Sequence, residues 1–425
     1  MLPLKYIRQN AELVRQGMAH KGIETERLDQ ILSLDEELRA KIAHTETLKA
    51  QRNRVTQTIA QLKREGGEAQ DKITSMAELS REIKEIDQGI QILQEQLHTH
   101  LLWVPNIPHS TVPVGSDASA NRLVSTEGEL VTHSFAVQDH LELLTALQLV
   151  DFEAGGRIAG RGFPLYTGKG ARLERALINF MLDLHTQERN YTEIFPPFVA
   201  TRQTTELTGQ LPKLEEDMYV TTVDDLFLIP TAEVPLTGIY QGQVLSEGDL
   251  PLRYAAYSAC FRREAGSYGK ETRGLLRVHQ FNKVELVKYV HPDASYDELE
   301  TLRVDAEEVL KRLGLTYRIL ELCTGDLSFA AAKCYDLEVY APAGEQWLEV
   351  SSCSNYEAFQ ARRGNIKFRR KDTGKLDYVH TLNGSGLATP RLLAAILETY
   401  QQADGTVVVP EALVPYYGEE TLKPA

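Results

Sequence analysis

Long apolar runs are missing from this chain. No stretch approaches the roughly 18 residues that a membrane span needs. The opening Met1-Leu2-Pro3-Leu4-Lys5-Tyr6-Ile7-Arg8 has no uninterrupted apolar region of the kind a secretory signal carries. Cysteine is scarce. Cys260, Cys323, Cys334 and Cys353 are spaced for neither a zinc pattern nor a disulfide frame, so they are expected to be reduced core thiols of a soluble, cytoplasmic protein. The common nucleotide signatures are also absent. The Gly-Lys pairs at 168, 269 and 374 lack the upstream glycine and following hydroxyl of a P-loop, and no strand-linked G-x-G-x-x-G occurs. Positive charge is in deficit, with 46 Lys and Arg against 60 Asp and Glu and a net charge of −14. That argues against a nucleic-acid partner unless cations are concentrated locally. What remains, 42% hydrophobic and 25% charged over 425 residues, fits a globular protein of about two or three domains.

The first positive signal is helical. From about Arg27 to Arg64 there is neither Pro nor Gly. Leu28, Ile31, Leu38 and Ile42 recur at helical steps, and Leu48, Val55, Ile59 and Leu62 continue after a phase slip. Gly66-Gly67 breaks the helix. From about Asp71 to Leu101 the seam resumes through Met76, Leu79, Ile83, Ile86, Ile90, Leu93 and Leu97, a heptad pattern. Two such helices joined by a short turn predict an antiparallel coiled-coil hairpin, its first arm about 57 Å long at 1.5 Å per residue. Between residues 39 and 64 the first helix carries Arg39, Lys41, Lys49, Arg52, Arg54, Lys63 and Arg64 against the single acid Glu46. A charge run on a helix is most often a solvated face. On an acidic protein it also offers a stripe that could track a nucleic-acid backbone.

A Pro-rich linker follows, Trp103–Pro108 and Val112–Gly115. Beyond it, helical stretches such as Arg172–Arg189 and Tyr296–Leu313 mix with strand-like runs at Leu226–Ile229, Val284–Val287 and Trp347–Val350. The strands do not alternate regularly with helices. This favours an α+β domain, an antiparallel sheet flanked by helices, over a doubly wound one.

Three separated blocks carry residues suited to nucleotide chemistry. The first, Phe261-Arg262-Arg263-Glu264 through a glycine-rich loop to Arg277-Val278-His279-Gln280-Phe281 and Glu285, reads as strand, loop, strand. Its arginines could clamp phosphates through forked hydrogen bonds, and Phe281 could stack on a base. The second, Trp347-Leu348-Glu349-Val350-Ser351-Ser352, places a carboxylate and a hydroxyl on one β-run, as a phosphate-bridging Mg²⁺ would want. In the third, Asn383-Gly384-Ser385-Gly386-Leu387-Ala388-Thr389-Pro390-Arg391, small residues lead into a helix that presents Arg391 in its first turn. The paired glycines there are expected to let a substrate approach the backbone. Each block alone is weak, since a lone Arg-x-Glu is usually a surface ion pair.

Taken together, the blocks resemble motifs 2 and 3 of class II aminoacyl-tRNA synthetases. Gly170–Pro197 looks like motif 1, the dimer-forming element. Within that class the whole chain resembles bacterial-type seryl-tRNA synthetases, most tellingly at Thr208–Pro212, Leu228–Glu233, Phe261–Gly269, Arg277–Glu285 and Leu382–Arg391. The resemblance implies a tRNA-binding domain over 1–110, with its coiled-coil arm at about 27–101, and a catalytic and dimerisation domain over 111–425. It implies activation of L-serine with ATP and Mg²⁺, transfer to tRNA(Ser) and also tRNA(Sec), a homodimer, and no membrane association.

Residue roles follow from the same resemblance. Arg262 would bridge the serine carboxylate and the α-phosphate. Glu264, the Val278 backbone and Phe281 would hold adenine, with Arg263 beside them. Arg277 and Arg391 would hold the outer phosphates. Glu349 and Ser352 would anchor Mg²⁺, with Val350 and Ser351 on the same ATP-binding run. Thr231, Ala232, Glu233 and Glu285 would form the serine pocket, closed by Asn383 and Ser385. Arg39, Lys41, Lys49, Arg52, Arg54, Lys63 and Arg64 would meet tRNA. Arg263 departs from the family pattern, where a small residue is common. Two other readings are a class II relative with another acceptor and an inactive RNA-binding homologue. Carrier-protein homologues lack the arm, and an inactive form would be expected to have lost Arg262, Glu264, Glu349 or Arg391.

Overall fold

The computed structural model describes residues 1–265 and 274–424. Its chain divides into two compact units, residues 2–19 with 23–105, and residues 1, 20–22 and 106–425.

The first unit is helical. After two short helices, Leu4–Gln9 and Ala11–His20, come α1 (Glu26–Arg64) and α2 (Gln70–Leu101), which pack along each other. Leu48 of α1 meets Leu79 and Ile83 of α2, with Val55 and Ile86 beside them. The α2 seam runs as its heptads dictate, with Leu79, Ile83, Leu93 and Leu97 buried. In α1 the phase slip comes earlier than expected. Ile42 is exposed, and the seam passes instead through Lys41 and the buried Thr45. Opposite Lys41 is Gly89 of α2, with the Lys41 stem at ordinary van der Waals distance, about 3.9 Å, from where a Cβ would sit. A long charged side chain can cover apolar surface in this way while its ammonium stays wet.

The second unit is built on one eight-stranded sheet. In chain order its strands are β1 (Arg122–Glu127), β2 (Thr192–Glu193), β3 (Leu252–Phe261), β4 (Gln280–Val290), β5 (Tyr317–Glu321), β6 (Lys333–Ala341), β7 (Gln346–Asn355) and β8 (His380–Ala388). Their spatial order is β1-β5-β6-β7-β8-β4-β3-β2, antiparallel throughout except where β2 runs parallel to β3. The helices α3 (Gly168–Asp183), α4 (Ser295–Arg312) and α5 (Thr389–Tyr400) cover one face. On that side Val284, Leu286 and Val290 of β4 join Leu177, Leu302 and Leu393 in the main core. The intervening residues Val287 and Tyr289 point to the opposite face and a smaller core with Leu236 and Phe368. A strand apolar on both faces is what a central position requires.

The segment from Asn106 onward belongs to the second unit. The Asn106 amide donates to the Phe329 carbonyl, its side chain donates to the Tyr356 carbonyl, and the His109 amide donates to Ala332. All four cysteines are buried and free. Among the described residues no helix is long and apolar enough to cross a membrane.

Candidate active site

The face of the sheet away from the helices holds a cavity of about 500 Å³, within the size range of small-molecule sites. Strand alternation chooses its lining. On β4, Phe281, Lys283 and Glu285 all point into it. The other two strands achieve the same with irregular spacings, and bulges explain how. Leu337 and Glu338, adjacent on β6, face Ser351 and Glu349 of β7, so Val350 is an extra residue. The bulge shifts the alternation and brings Glu349 and Ser352, three apart, to one face. On β8, Ser385 faces Glu285 while Ala388 faces Lys283, which again leaves one extra residue, and Leu387 adopts φ 116°. Asn383, Ser385 and Ala388 thus share the cavity with Glu285 and Lys283.

That geometry corrects one expectation. The glycines of the third block do not serve substrate approach. A Cβ on Gly384 would meet Cys353 and Leu302, and one on Gly386 would meet His185 and Val284, all on the helix-covered side. These positions must be small because the core behind the sheet is close, while their neighbours Asn383 and Ser385 face the cavity.

One end of the cavity is a buried carboxylate pocket. Glu285 is 1% exposed. It accepts a 2.9 Å hydrogen bond from the Thr231 hydroxyl and an ion pair from Lys283. Glu233, equally buried, accepts from Gln360 Nε2 at 2.7 Å, and its own amide donates to Thr231 Oγ1 at 3.1 Å. Burial first, and then the charge on Glu285, push the Glu233 carboxyl up to about 7. Tyr356 donates to Asn383 Oδ1 at 2.8 Å. With Lys283 already paired to Glu285, a further cation would relieve Glu233 of both burial and repulsion.

The other end is cationic. Arg262 follows β3, with its guanidinium 5.1 Å from the centre of the Phe281 ring. Arg391, in the first turn of α5, donates to the Glu349 and Leu276 carbonyls at 2.9 and 3.1 Å and lies 3.6 Å from the Glu349 carboxylate. Arg277 pairs with Glu264. Among the described residues no cluster of three His, Cys, Asp or Glu could hold a metal. Glu349 and Ser352 offer two oxygen donors, which fit a hard cation that draws its other ligands from phosphate and water.

The cavity brings together Thr231, Glu233, Arg262, Glu264, Arg277, Val278, Phe281, Glu285, Glu349, Val350, Ser351, Ser352, Asn383, Ser385 and Arg391. Two expected residues stay out. Arg263 is exposed and donates to the Glu216 carbonyl at 3.0 Å, because its own amide is tied to the Asp217 carbonyl and turns the side chain away. Ala232 is packed in the smaller core beside Leu236. Gly266–Arg273 of the glycine-rich loop lie outside the described residues. Lys283, Tyr356 and Gln360 were not anticipated. Lys283 was findable, since a Lys two residues before a Glu in an otherwise apolar strand must share its face. Tyr356 directly follows β7 and Gln360 sits in the short helix Phe359–Arg363 after it, and neither left a sequence signal.

Comparison with known proteins defines the class first. Residues 217–400 match the tRNA synthetase class II core domain (G, H, P, S and T). Residues 1–108 match the seryl-tRNA synthetase N-terminal domain. The serine–tRNA ligase of Geobacter sulfurreducens is 53% identical over 98% of this chain and 99% of its own, and that of Caldicellulosiruptor bescii is 54% identical over 100% of each. The chain belongs to the seryl-tRNA synthetase family. The ATP-complexed seryl-tRNA synthetase of Pyrococcus horikoshii superposes with a TM-score of 0.94 at 36% identity, covering 100% of both chains.

Proposed function

We propose that this protein activates L-serine with ATP to seryl-adenylate and transfers the serine to the 3′ end of tRNA(Ser), and also to tRNA(Sec). The observation that carries this reading is the two-ended cavity, with buried carboxylates at one end and arginines from three separate segments at the other. The serine ammonium sits against Glu233 and Glu285, and Thr231, Asn383 and Ser385 surround its side chain. Its carboxylate is ionised at neutral pH and needs no base. It attacks the α-phosphate in line and expels pyrophosphate, so the protein's work is positioning and charge stabilisation. Arg262, of the cationic end, holds the carboxylate against the α-phosphate. Phe281 stacks on adenine with Glu264 and Val278 at its edge, and Arg277 and Arg391 take the outer phosphates. This requires Arg277 to exchange its Glu264 pair for phosphate. Mg²⁺, held by Glu349 and Ser352, would neutralise phosphate charge. In the second step a ribose hydroxyl of the tRNA loses its proton and attacks the adenylate carbonyl, forming the ester as the bond to phosphate breaks and AMP leaves.

The reading extends to organisation. We assign residues 1–110 to tRNA binding and 111–425 to catalysis and dimerisation, in a cytoplasmic homodimer. Phe195, at the end of the motif 1-like segment, is 79% exposed, as an interface aromatic in an isolated subunit would be.

Serine selection rests on polarity and volume. A site that hydrogen-bonds the substrate hydroxyl rejects an analogue lacking it by roughly 10⁴–10⁵, which disposes of alanine. The extra methyl of threonine must be excluded by the walls. ATP–pyrophosphate exchange surveyed over the amino acids tests the assignment. Serine alone is expected to support rapid exchange, and a different preferred amino acid would overturn the reading.

A further inference from the structure

Behind the cavity, on the helix-covered face of the sheet, lies a carboxylate that the chemistry above does not use. Glu174 of α3 is 5% exposed. Its Oε1 accepts from Asn282 Nδ2 at 2.8 Å and from the Thr389 hydroxyl. The same hydroxyl lies 3.1 Å from the Asn282 carbonyl. Burial raises the Glu174 carboxyl to about 7 against these two donors, which lower it. Charged or neutral, Oε1 remains an acceptor.

The partners give this carboxylate its meaning. Asn282 directly follows Phe281 on β4, so fixing it fixes the end of the strand that presents the ring to the cavity. Thr389 is the first residue of α5, two before Arg391. Three elements distant in sequence therefore meet at one buried oxygen, and two of them carry the base-stacking ring and an arginine of the phosphate end. Neither side-chain bond is needed for secondary structure. Both fix how α5 starts relative to β4.

We propose that Glu174 is a positioning residue for ATP, acting through Thr389 and Asn282 to set the distance between Arg391 and Phe281. The proposal rests on the ATP-dependent activation described above. It predicts a selective defect. The serine-pocket carboxylates Glu285 and Glu233 are held by Thr231 and Gln360, which bond to neither Asn282 nor Thr389, and should be spared.

The test is pyrophosphate-exchange kinetics on the full-length protein, with ATP and serine varied separately. Glu174→Ala is expected to raise the KM for ATP by about 10-fold while the KM for serine stays within about 2-fold, a split that general loosening would not give. Glu174→Gln keeps an acceptor oxygen in place and is expected to remain within about 3-fold of the parent for both. Thr389→Val removes the hydroxyl at nearly constant volume and is expected to raise the ATP KM as well, which decides the matter if Glu174→Ala fails to fold. An unchanged ATP KM in Thr389→Val, parallel rises in both constants, or a Gln variant as impaired as Ala would overturn the proposal. A parent protein with no serine-dependent exchange would instead overturn the functional reading.

Discussion

Glu285→Ala is expected to lose serine-dependent ATP–pyrophosphate exchange by at least ~100-fold, the scale of one charge-assisted contact to substrate. The loss has two sources. The direct one is the missing partner for serine. The indirect one is Lys283, whose ammonium is buried beside Glu285 and pairs with it. Removing one member of a buried pair leaves the other uncompensated. The Thr231 hydroxyl loses its acceptor as well. Lys283 would then attract the remaining carboxylate, Glu233, and the pocket would no longer offer excess negative charge to an ammonium. The defect should fall mainly on serine, and circular dichroism should show an intact fold. Exchange close to that of the parent would remove Glu285 from the site.

The second large effect concerns the helical arm. Its seven basic residues are not equivalent. Arg39 is tied to Asp35 at 2.9 Å, Lys41 to Glu37 at 3.5 Å and Lys49 to Asp87 at 3.0 Å. Among the described residues Arg52, Arg54, Lys63 and Arg64 make no ion pair. The unpaired cations therefore cluster toward the turn between α1 and α2, where an RNA backbone would meet charge not already spoken for. Reversing those four to Glu in the full-length chain is expected to leave serine-dependent exchange within about 2-fold and to reduce tRNA charging by at least ~100-fold. If each contacts a phosphate, the salt dependence of tRNA binding should also flatten, its log–log slope falling by about 3. Charging at the parental rate would contradict the arm's role in binding tRNA. Changing Arg39 instead would disturb the buried carboxylate of Asp35, to which Arg8 is also bound, and would confuse stability with recognition.

Much of this site was legible because the chemistry lies in local blocks. The α2 seam, the strand Val284–Val287 and the first turn of α5 follow from periodicity and from Pro390. Irregular backbone was harder to read. Glu349 and Ser352 are three apart, a spacing that an ideal strand would send to opposite faces, and only the bulge at Val350 reconciles them. The same applies to Ser385 and Ala388. The role of Gly384 and Gly386 was misjudged because sequence does not say which side of a strand is crowded. Ile42 reads as a seam residue from its apolar character and helical step, whereas the structure takes the seam through Lys41 and Thr45. Arg263 and Ala232 came from the resemblance, which carries over whole stretches, and neighbours on a turn or strand need not share a direction.

The central claim is spatial: the segments around Arg262, Glu349 and Arg391 form one receptacle with Glu233 and Glu285 at its far end. A crystal structure of the protein with a non-hydrolysable seryl-adenylate analogue tests it most directly. The account predicts the adenine ring against Phe281, the phosphate mimic beside Arg262, and the seryl ammonium between Glu233 and Glu285. An analogue bound elsewhere, or bound with its seryl group at the arginine end, would contradict it.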